Sequence, residues 1–104
     1  MTIQINSDNN VAGTEGLSEY IQTIITGNLK RFDEQITRVE VHLNDENSHK
    51  SGINDKRCMM EARLEGMQPI AVTAFGNTVH EAVKSAIEKL KSSLNTTLGK
   101  LQNH

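Results

Sequence analysis

The sequence predicts an α+β fold, a two-layer sandwich in which two helices cover one face of a four-stranded mixed sheet. Two long segments carry apolar residues at helical spacing, and four short segments alternate apolar and polar residues. Each alternating segment has only one apolar face, so both helices are expected on that face while the other faces water. The element order is β-α-β-β-β-α, and a length of 104 residues fits a single domain over residues 1–104.

The first strand and the first helix are predicted from two short patterns. Ile3 and Ile5 alternate with polar neighbours, which indicates a strand over residues 2–6. Thr14 can cap the helix that follows, which is predicted over residues 14–32. Apolar residues at helical spacing mark the buried stripe of this helix: Leu17, Ile21, Ile24, Ile25 and Phe32. Because a helix joins strands 1 and 2, these two strands are expected to pair in parallel.

Two alternating segments form the centre of the predicted sheet. Strand 2 is predicted over residues 36–46 and strand 3 over residues 56–66, each with one apolar face. The segment between them, residues 46–55, is polar and is expected to be a long hairpin loop. Strands joined by a hairpin run antiparallel, so the sheet as a whole is mixed.

The charges on the open face favour one register of strands 2 and 3. Two registers keep the apolar residues inside the sandwich. With Leu43 opposite Met60, the open face holds cross-strand pairs of complementary charge: Arg38–Glu65, Glu40–Arg63 and His42–Glu61. A shift by two residues would place like charges together, as in Glu40 opposite Glu61. Complementary cross-strand pairs contribute about 0.2–1 kcal/mol each, so the first register is predicted.

The last strand and the last helix complete the fold. A further alternating segment after the turn at residues 66–69 predicts a strand over residues 70–76, and the expected strand order is 1-2-3-4. The final helix is predicted over residues 78–101, where Thr78 and Glu81 match a capping box. Its apolar stripe is the longest in the chain: Val79, Ala82, Val83, Ala86, Ile87, Leu90, Leu94, Leu98 and Leu101.

The residues that could support catalysis or bind a metal are scattered. Cys58 lies on the apolar face of strand 3, so we expect a buried structural thiol and no dyad with His42, which faces the other way. A single cysteine excludes an intrachain disulfide. The histidines lack the close spacing of a zinc site: His42, His49, His80 and His104. No phosphate-binding or nucleophile motif is present, so we expect neither an enzyme nor a metal or cofactor.

The charge distribution leaves a nucleic-acid partner open. A net charge of −2 argues against a generic nucleic-acid coat. Basic residues nevertheless concentrate at the end of helix 1 and along helix 2: Lys30, Arg31, Lys84, Lys89, Lys91 and Lys100. These residues are either ordinary solvated helix faces or an RNA-binding rim, on which the helix 1 pair would converge with Lys89 and Lys91.

The aromatic residues restrict the kind of RNA recognition that is expected. Only Phe75 is predicted to lie on the open sheet face, so stacking on single-stranded bases is not expected. Recognition of folded RNA through its shape and phosphates is the variant that remains. A separate interpretation is protein association, because the open face carries Met59 and Phe75 and the sheet has two edges.

The element order and three segments resemble a known family. Helix 1 begins with Thr-Glu-x-Leu-x-Glu-Tyr-Ile at residues 14–21, and helix 2 carries Ala-x-x-x-Ala-Ile-x-Lys-Leu-x-x-x-Leu at residues 82–94. The central strands begin with Ile-Thr-Arg-Val-Glu-Val-His-Leu at residues 36–43. Together these segments are similar to the ribosome hibernation factors, the family of hibernation-promoting factor, protein Y and ribosome-associated inhibitor. The resemblance covers essentially the whole chain and is to a short form without a C-terminal dimerisation domain.

The resemblance implies a cytoplasmic, ribosome-associated stress factor. Such proteins bind the small ribosomal subunit where messenger and transfer RNA would sit, and they silence translation by occlusion, without a membrane or a small-molecule substrate. Lys89 matches the family lysine of the Lys-Leu pair in helix 2. Lys30 and Arg31 correspond to the basic end of helix 1, and Lys100 corresponds to the basic tail.

Departures from the family pattern leave a second hypothesis open. Family members usually carry further basic residues after the Lys-Leu pair, where this chain has Ser92, Ser93, Thr96 and Thr97. The family's Asp-x-Tyr before helix 2 is replaced by residues 77–80, Asn-Thr-Val-His. Because charge neutralisation dominates phosphate binding, the alternative is a small protein-interaction module on the same fold that has lost ribosomal RNA binding.

Overall fold

A computed structural model of the chain describes residues 1–7, 15–45 and 55–102. Its elements are β1 (Thr2–Ser7), α1 (Glu15–Leu29), a 3-10 turn (Lys30–Phe32), β2 (Ile36–Asp45), β3 (Lys56–Leu64), β4 (Ile70–Gly76) and α2 (Val79–Gln102). The predicted order β-α-β-β-β-α is confirmed. The predicted cap at Thr14 and residues 46–54 of the predicted loop lie outside the described residues. Helix 1 ends earlier than predicted, because its last residues tighten into the 3-10 turn.

The four strands form one sheet in the predicted order β1-β2-β3-β4. β1 pairs with β2 in parallel, and the β2–β3 and β3–β4 pairs are antiparallel. β1 and β4 therefore run in the same direction and form the two edges. Each helix follows one of these edge strands and returns across the same face, so α1 and α2 run parallel to each other.

One apolar core joins the inner face of the sheet to both helices, which confirms the two-layer architecture. α2 packs over β3 and β4 and beside α1. The largest fully buried side chains come from every layer: Ile21, Ile25, Leu29, Ile36, Val39, Val41, Cys58, Met60, Val83, Leu90 and Leu94. Full burial of one such aliphatic side chain contributes about 1.5–3 kcal/mol to the stability of the fold. The core can therefore stabilise the protein without a tryptophan.

The predicted register of β2 and β3 is wrong by two residues. Val41 pairs with Met60, and Glu40 lies directly opposite Glu61. The like charges of Glu40 and Glu61 are offset because Arg63 contacts both carboxylates. Arg63 contacts Glu40 at 3.0 Å and its strand neighbour Glu61 at 3.1 Å. Both registers bury the same apolar residues, so the cross-strand charge argument was too weak to decide between them.

A bulge at Thr37 accounts for the irregular start of β2. The register shifts between the Ile36–Leu64 and Arg38–Arg63 pairs, which leaves Thr37 as the extra residue. The bulge lets Ile36 and Val39, three positions apart, both point into the core, at 2% and 0% exposure. The Thr37 hydroxyl donates a hydrogen bond of 3.1 Å to the Arg63 carbonyl, which replaces a missing ladder contact.

The junction between β4 and α2 is tightly packed and capped as predicted. The Thr78 hydroxyl accepts a hydrogen bond of 3.1 Å from the Glu81 amide. The Glu81 carboxylate in turn accepts a bond of 2.9 Å from the amide of Asn77, one residue before the cap. A Cβ added at Gly76 would lie 2.6 Å from the backbone nitrogen of Ala82, so only glycine fits where the strand meets the helix.

An ion cluster joins the last residue of β2 to the first residue of β3. The Lys56 ammonium lies 2.9 Å from Asp55 and 3.3 Å from Asp45. Asp55 is buried, and its hydrogen bond is the main reason that the pKa of Lys56 is raised. The cluster therefore ties the end of β2 to the start of β3.

Candidate nucleic-acid interface

The lysines of α2 lie on two opposite flanks of the helix. The His80 ring contacts the Tyr20 ring of α1 at a centroid distance of 4.5 Å, which marks the flank that faces α1. Lys84 is about one turn beyond His80, and Lys91 is about three turns beyond, so both share this flank. Lys89 lies on the other flank, above the edge strand β4.

Lys89 forms a hydrogen bond that could not be predicted from the sequence. Its ammonium donates a hydrogen bond of 2.9 Å to the backbone carbonyl of Thr73. This carbonyl belongs to the outer strand of the sheet, so the lysine occupies an edge position that could otherwise pair with another chain. Helical spacing placed Lys89 off the apolar stripe, but the contact depends on how α2 crosses β4.

The basic end of helix 1 lies at the other side of the helical layer. Lys30 and Arg31 are exposed in the 3-10 turn, and Arg31 covers the ring of Phe32 at 5.0 Å. Lys30 borders a groove that is also lined by Met1, next to β1. The Met1 amino group lies 3.6 Å from the Asp33 carboxylate and fixes the start of the chain there.

The structure brings together only some of the residues that were expected on one rim. The two helices are in contact at the rings of Tyr20 and His80. Helical spacing puts Lys84 and Lys91 on the flank of α2 that faces α1, and Lys30 and Arg31 follow directly after α1. Lys89 is separated from them by the width of α2. The side chain of Lys100 lies outside the described part of the molecule.

The open sheet face neutralises most of its own charge. Glu40 is contacted by Arg63 at 3.0 Å, by Arg38 at 3.4 Å and by His42 at 3.6 Å. Glu61 shares Arg63 with Glu40. These groups form a network across β2 and β3 rather than a set of free cations. The helical layer is therefore the better candidate for contact with a polyanion.

Cys58 has the environment of a structural residue, as predicted. Its side chain is fully buried, and desolvation raises the pKa of its thiol to about 12, although the nearby Arg57 charge acts in the opposite direction. Such a thiol is protonated at neutral pH and is a poor nucleophile. Within the described ranges, no group of three potential metal ligands comes together.

Comparison with known proteins identifies the family. A profile of the sigma 54 modulation protein / S30EA ribosomal protein family matches residues 3–102. The chain belongs to this family. Its members are ribosome-associated modulation and hibernation proteins, so the resemblance noted in the sequence is confirmed. No curated protein matches the chain significantly in sequence.

Solved structures confirm the fold of this family member. The N-terminal domain of Thermus thermophilus Protein Y superposes with a TM-score of 0.74 at 16% identity, covering 92% of this chain and 98% of that one. A ribosomal subunit interface protein from Coxiella burnetii gives a TM-score of 0.72 at 19% identity, covering 95% and 99%. At these identities the likeness concerns the fold alone. None of the helices described here is long and apolar enough to cross a membrane.

Proposed function

We propose that this protein binds the small ribosomal subunit and silences translation by occupying the path of messenger and transfer RNA. The observation that supports this most is the family match, which extends over residues 3–102 and therefore over both helices and the whole sheet. The Coxiella burnetii neighbour, described as a ribosomal subunit interface protein, has the same fold. The proposed ribosome partner implies a cytoplasmic site of action.

The mechanism needs no chemical step. Lys30, Arg31, Lys84 and Lys91, which we call the helical-layer cations, present charge on one side of the molecule. Ribosomal RNA phosphates would replace the counterions that these groups hold, which favours binding at low salt. The rigid sandwich then excludes messenger and transfer RNA by its volume. Lys89 at the β4 edge and Lys100 near the chain end extend the proposed contact.

Pelleting with separated ribosomal subunits tests this proposal. The wild type is expected to sediment with the small subunit and not with the large one. Lys30→Gln combined with Lys91→Gln should weaken binding, and the slope of log K against log salt should fall by about 0.7–0.9 for each lost phosphate contact. A wild type that sediments with neither subunit would refute the proposal.

A matched variant separates local contacts from net charge. Gln68→Glu lies in the exposed turn between β3 and β4 and changes the formal charge by the same amount as one Lys→Gln substitution. It is expected to bind the small subunit as the wild type does. If it weakens binding as much as Lys91→Gln, the helical-layer cations act only through the overall charge of the protein.

A protein-interaction module without RNA binding is the second candidate. It is favoured by the net charge of −2 and by the neutral residues Ser92, Ser93, Thr96 and Thr97 in the second half of α2. This candidate predicts no subunit binding at any salt concentration, together with a specific protein partner.

A further inference from the structure

An exposed aromatic side chain stands at the β4 edge of the open sheet face. Phe75 is 49% exposed, more than Met67, the other exposed large apolar side chain in the described residues. The register sets Arg57 directly across from Phe75, with Met59 on the adjacent diagonal. Phe75, Arg57 and Met59, which we call the edge platform, thus combine a flat apolar surface with a guanidinium group.

The charged residue nearest to Phe75 in the strand register is basic. The described strands place three arginines and two glutamates on the open sheet face: Arg38, Arg57, Arg63, Glu40 and Glu61. Arg63 contacts both glutamates, Glu40 at 3.0 Å and Glu61 at 3.1 Å. Glu61 pairs with Ala71, which is four residues before Phe75 in β4. The paired glutamates thus lie over β2 and β3, whereas the charged residue directly across from Phe75 is Arg57.

A second cation is fixed beside the platform from the other layer. Lys89 is held at the β4 edge by its 2.9 Å bond to the Thr73 carbonyl, two residues before Phe75. An ammonium group has three N–H donors, and the carbonyl occupies one, so donors remain for a further acceptor. A ligand that extends from the open sheet face over the β4 edge would contact the Lys89 ammonium.

We propose that the β4 edge binds an unpaired nucleotide of RNA, with its base stacked on Phe75 and its phosphate at Lys89. This inference rests on the proposed function and specifies one part of the ribosomal RNA contact. Sheet-borne aromatic side chains stack well on splayed bases, and such stacking tolerates any base. Met59 widens the apolar surface, and Arg57 can contact the base plane or the neighbouring phosphate. The sequence alone favoured no base stacking, and this proposal departs from that expectation at the single side chain Phe75.

Binding to a strand with and without bases tests the inference. The probe is a fluorescent oligouridylate of about ten nucleotides, and the reference is an abasic strand with the same number of phosphates. The wild type should bind the oligouridylate at least about fivefold more tightly than the abasic strand, since one stacked base contributes about 1 kcal/mol or more. Phe75→Leu should abolish this difference, whereas Phe75→Tyr should retain it.

Controls keep the two proposals distinguishable. Met67→Ala removes an exposed apolar side chain of the β3–β4 turn and should leave the preference for bases unchanged. Phe75→Val provides a strand-compatible second variant if Phe75→Leu is unstable to urea. Equal affinity of the wild type for both strands, or an unchanged preference in Phe75→Leu and Phe75→Val, would overturn the inference. The edge platform would then be a candidate site for a protein partner. Small-subunit sedimentation of the wild type in that case would show that the proposed function still holds.

Discussion

At the scale of single residues, Cys58 shows how burial controls chemistry in this protein. The thiol is fully buried on the core face of β3, and desolvation raises its pKa from the ordinary value of 9.0 to about 12. We expect the native protein to react with a thiol reagent at neutral pH only as fast as it unfolds. Rapid labelling in folded protein, at the rate seen in strong denaturant, would contradict this burial.

The same thiol predicts a loss of stability in alkali. Above pH 9 the unfolded chain releases the Cys58 proton while the folded chain keeps it, so the free energy of unfolding falls as pH rises toward 12. The slope from this one group is at most about 1.4 kcal/mol per pH unit. Urea unfolding of wild type and Cys58→Ala from pH 8 to pH 11 should show a steeper fall for the wild type, and parallel curves would refute the assignment.

Charge pairing at single residues explains why the sheet register could not be predicted. The alternation of β2 and β3 identified which side chains face the core, and burial confirms them. A shift by two residues preserves this alternation, so only the weak charge term remained to choose between registers. The flexible Arg63 side chain reaches Glu40 diagonally at 3.0 Å, which satisfies the charges in the register that seemed unfavourable.

At the scale of elements, the β4–α2 junction requires glycine at Gly76, whereas α1 tolerates alanine at Gly27. A Cβ at Gly76 would lie 2.6 Å from the Ala82 nitrogen, so Gly76→Ala should cost about 1–3 kcal/mol through overpacking. Gly27 lies in α1 with nothing within 4 Å of an added Cβ, so Gly27→Ala should stabilise by about 0.5–1 kcal/mol. Urea denaturation measures both, and equal effects of the two substitutions would contradict the packing described.

The cap of α2 offers a second test at this scale. Thr78→Ala removes the 3.1 Å hydrogen bond to the Glu81 amide and should lower the free energy of unfolding by about 1 kcal/mol. Thr78→Ser keeps the hydroxyl and should recover most of the loss. If Thr78→Ser is as unstable as Thr78→Ala, the hydroxyl does not stabilise the helix start.

The elements themselves were largely predictable because each has a strong apolar period. The stripe of α2 and the alternation of the strands gave the order, the layers and the strand sequence across the sheet. The bulge at Thr37 and the 3-10 turn at Lys30–Phe32 were not predicted, because both depend on tertiary packing rather than on local pattern. The bond from Lys89 to Thr73 escaped prediction for the same reason, since it joins two elements whose relative position the sequence does not specify.

At the scale of the whole molecule, the fold separates two surfaces with different chemistry. The outer side of the helices presents the helical-layer cations, and the open sheet face presents the edge platform beside a neutralised network. An RNA partner that contacts both must pass around the β4 edge, where Lys89 lies. This arrangement would let one small protein block a channel through which RNA passes.

The most direct test of the central claim is competition on the small ribosomal subunit. Fluorescently labelled protein is bound to purified subunits and titrated with messenger RNA and its transfer RNA. Occlusion predicts mutually exclusive binding, so the apparent Kd of the protein should rise in proportion to the concentration of the RNA ligands, and Lys30→Gln with Lys91→Gln should be displaced more easily. Simultaneous binding of protein, messenger and transfer RNA to one subunit, with an unchanged Kd, would contradict the account.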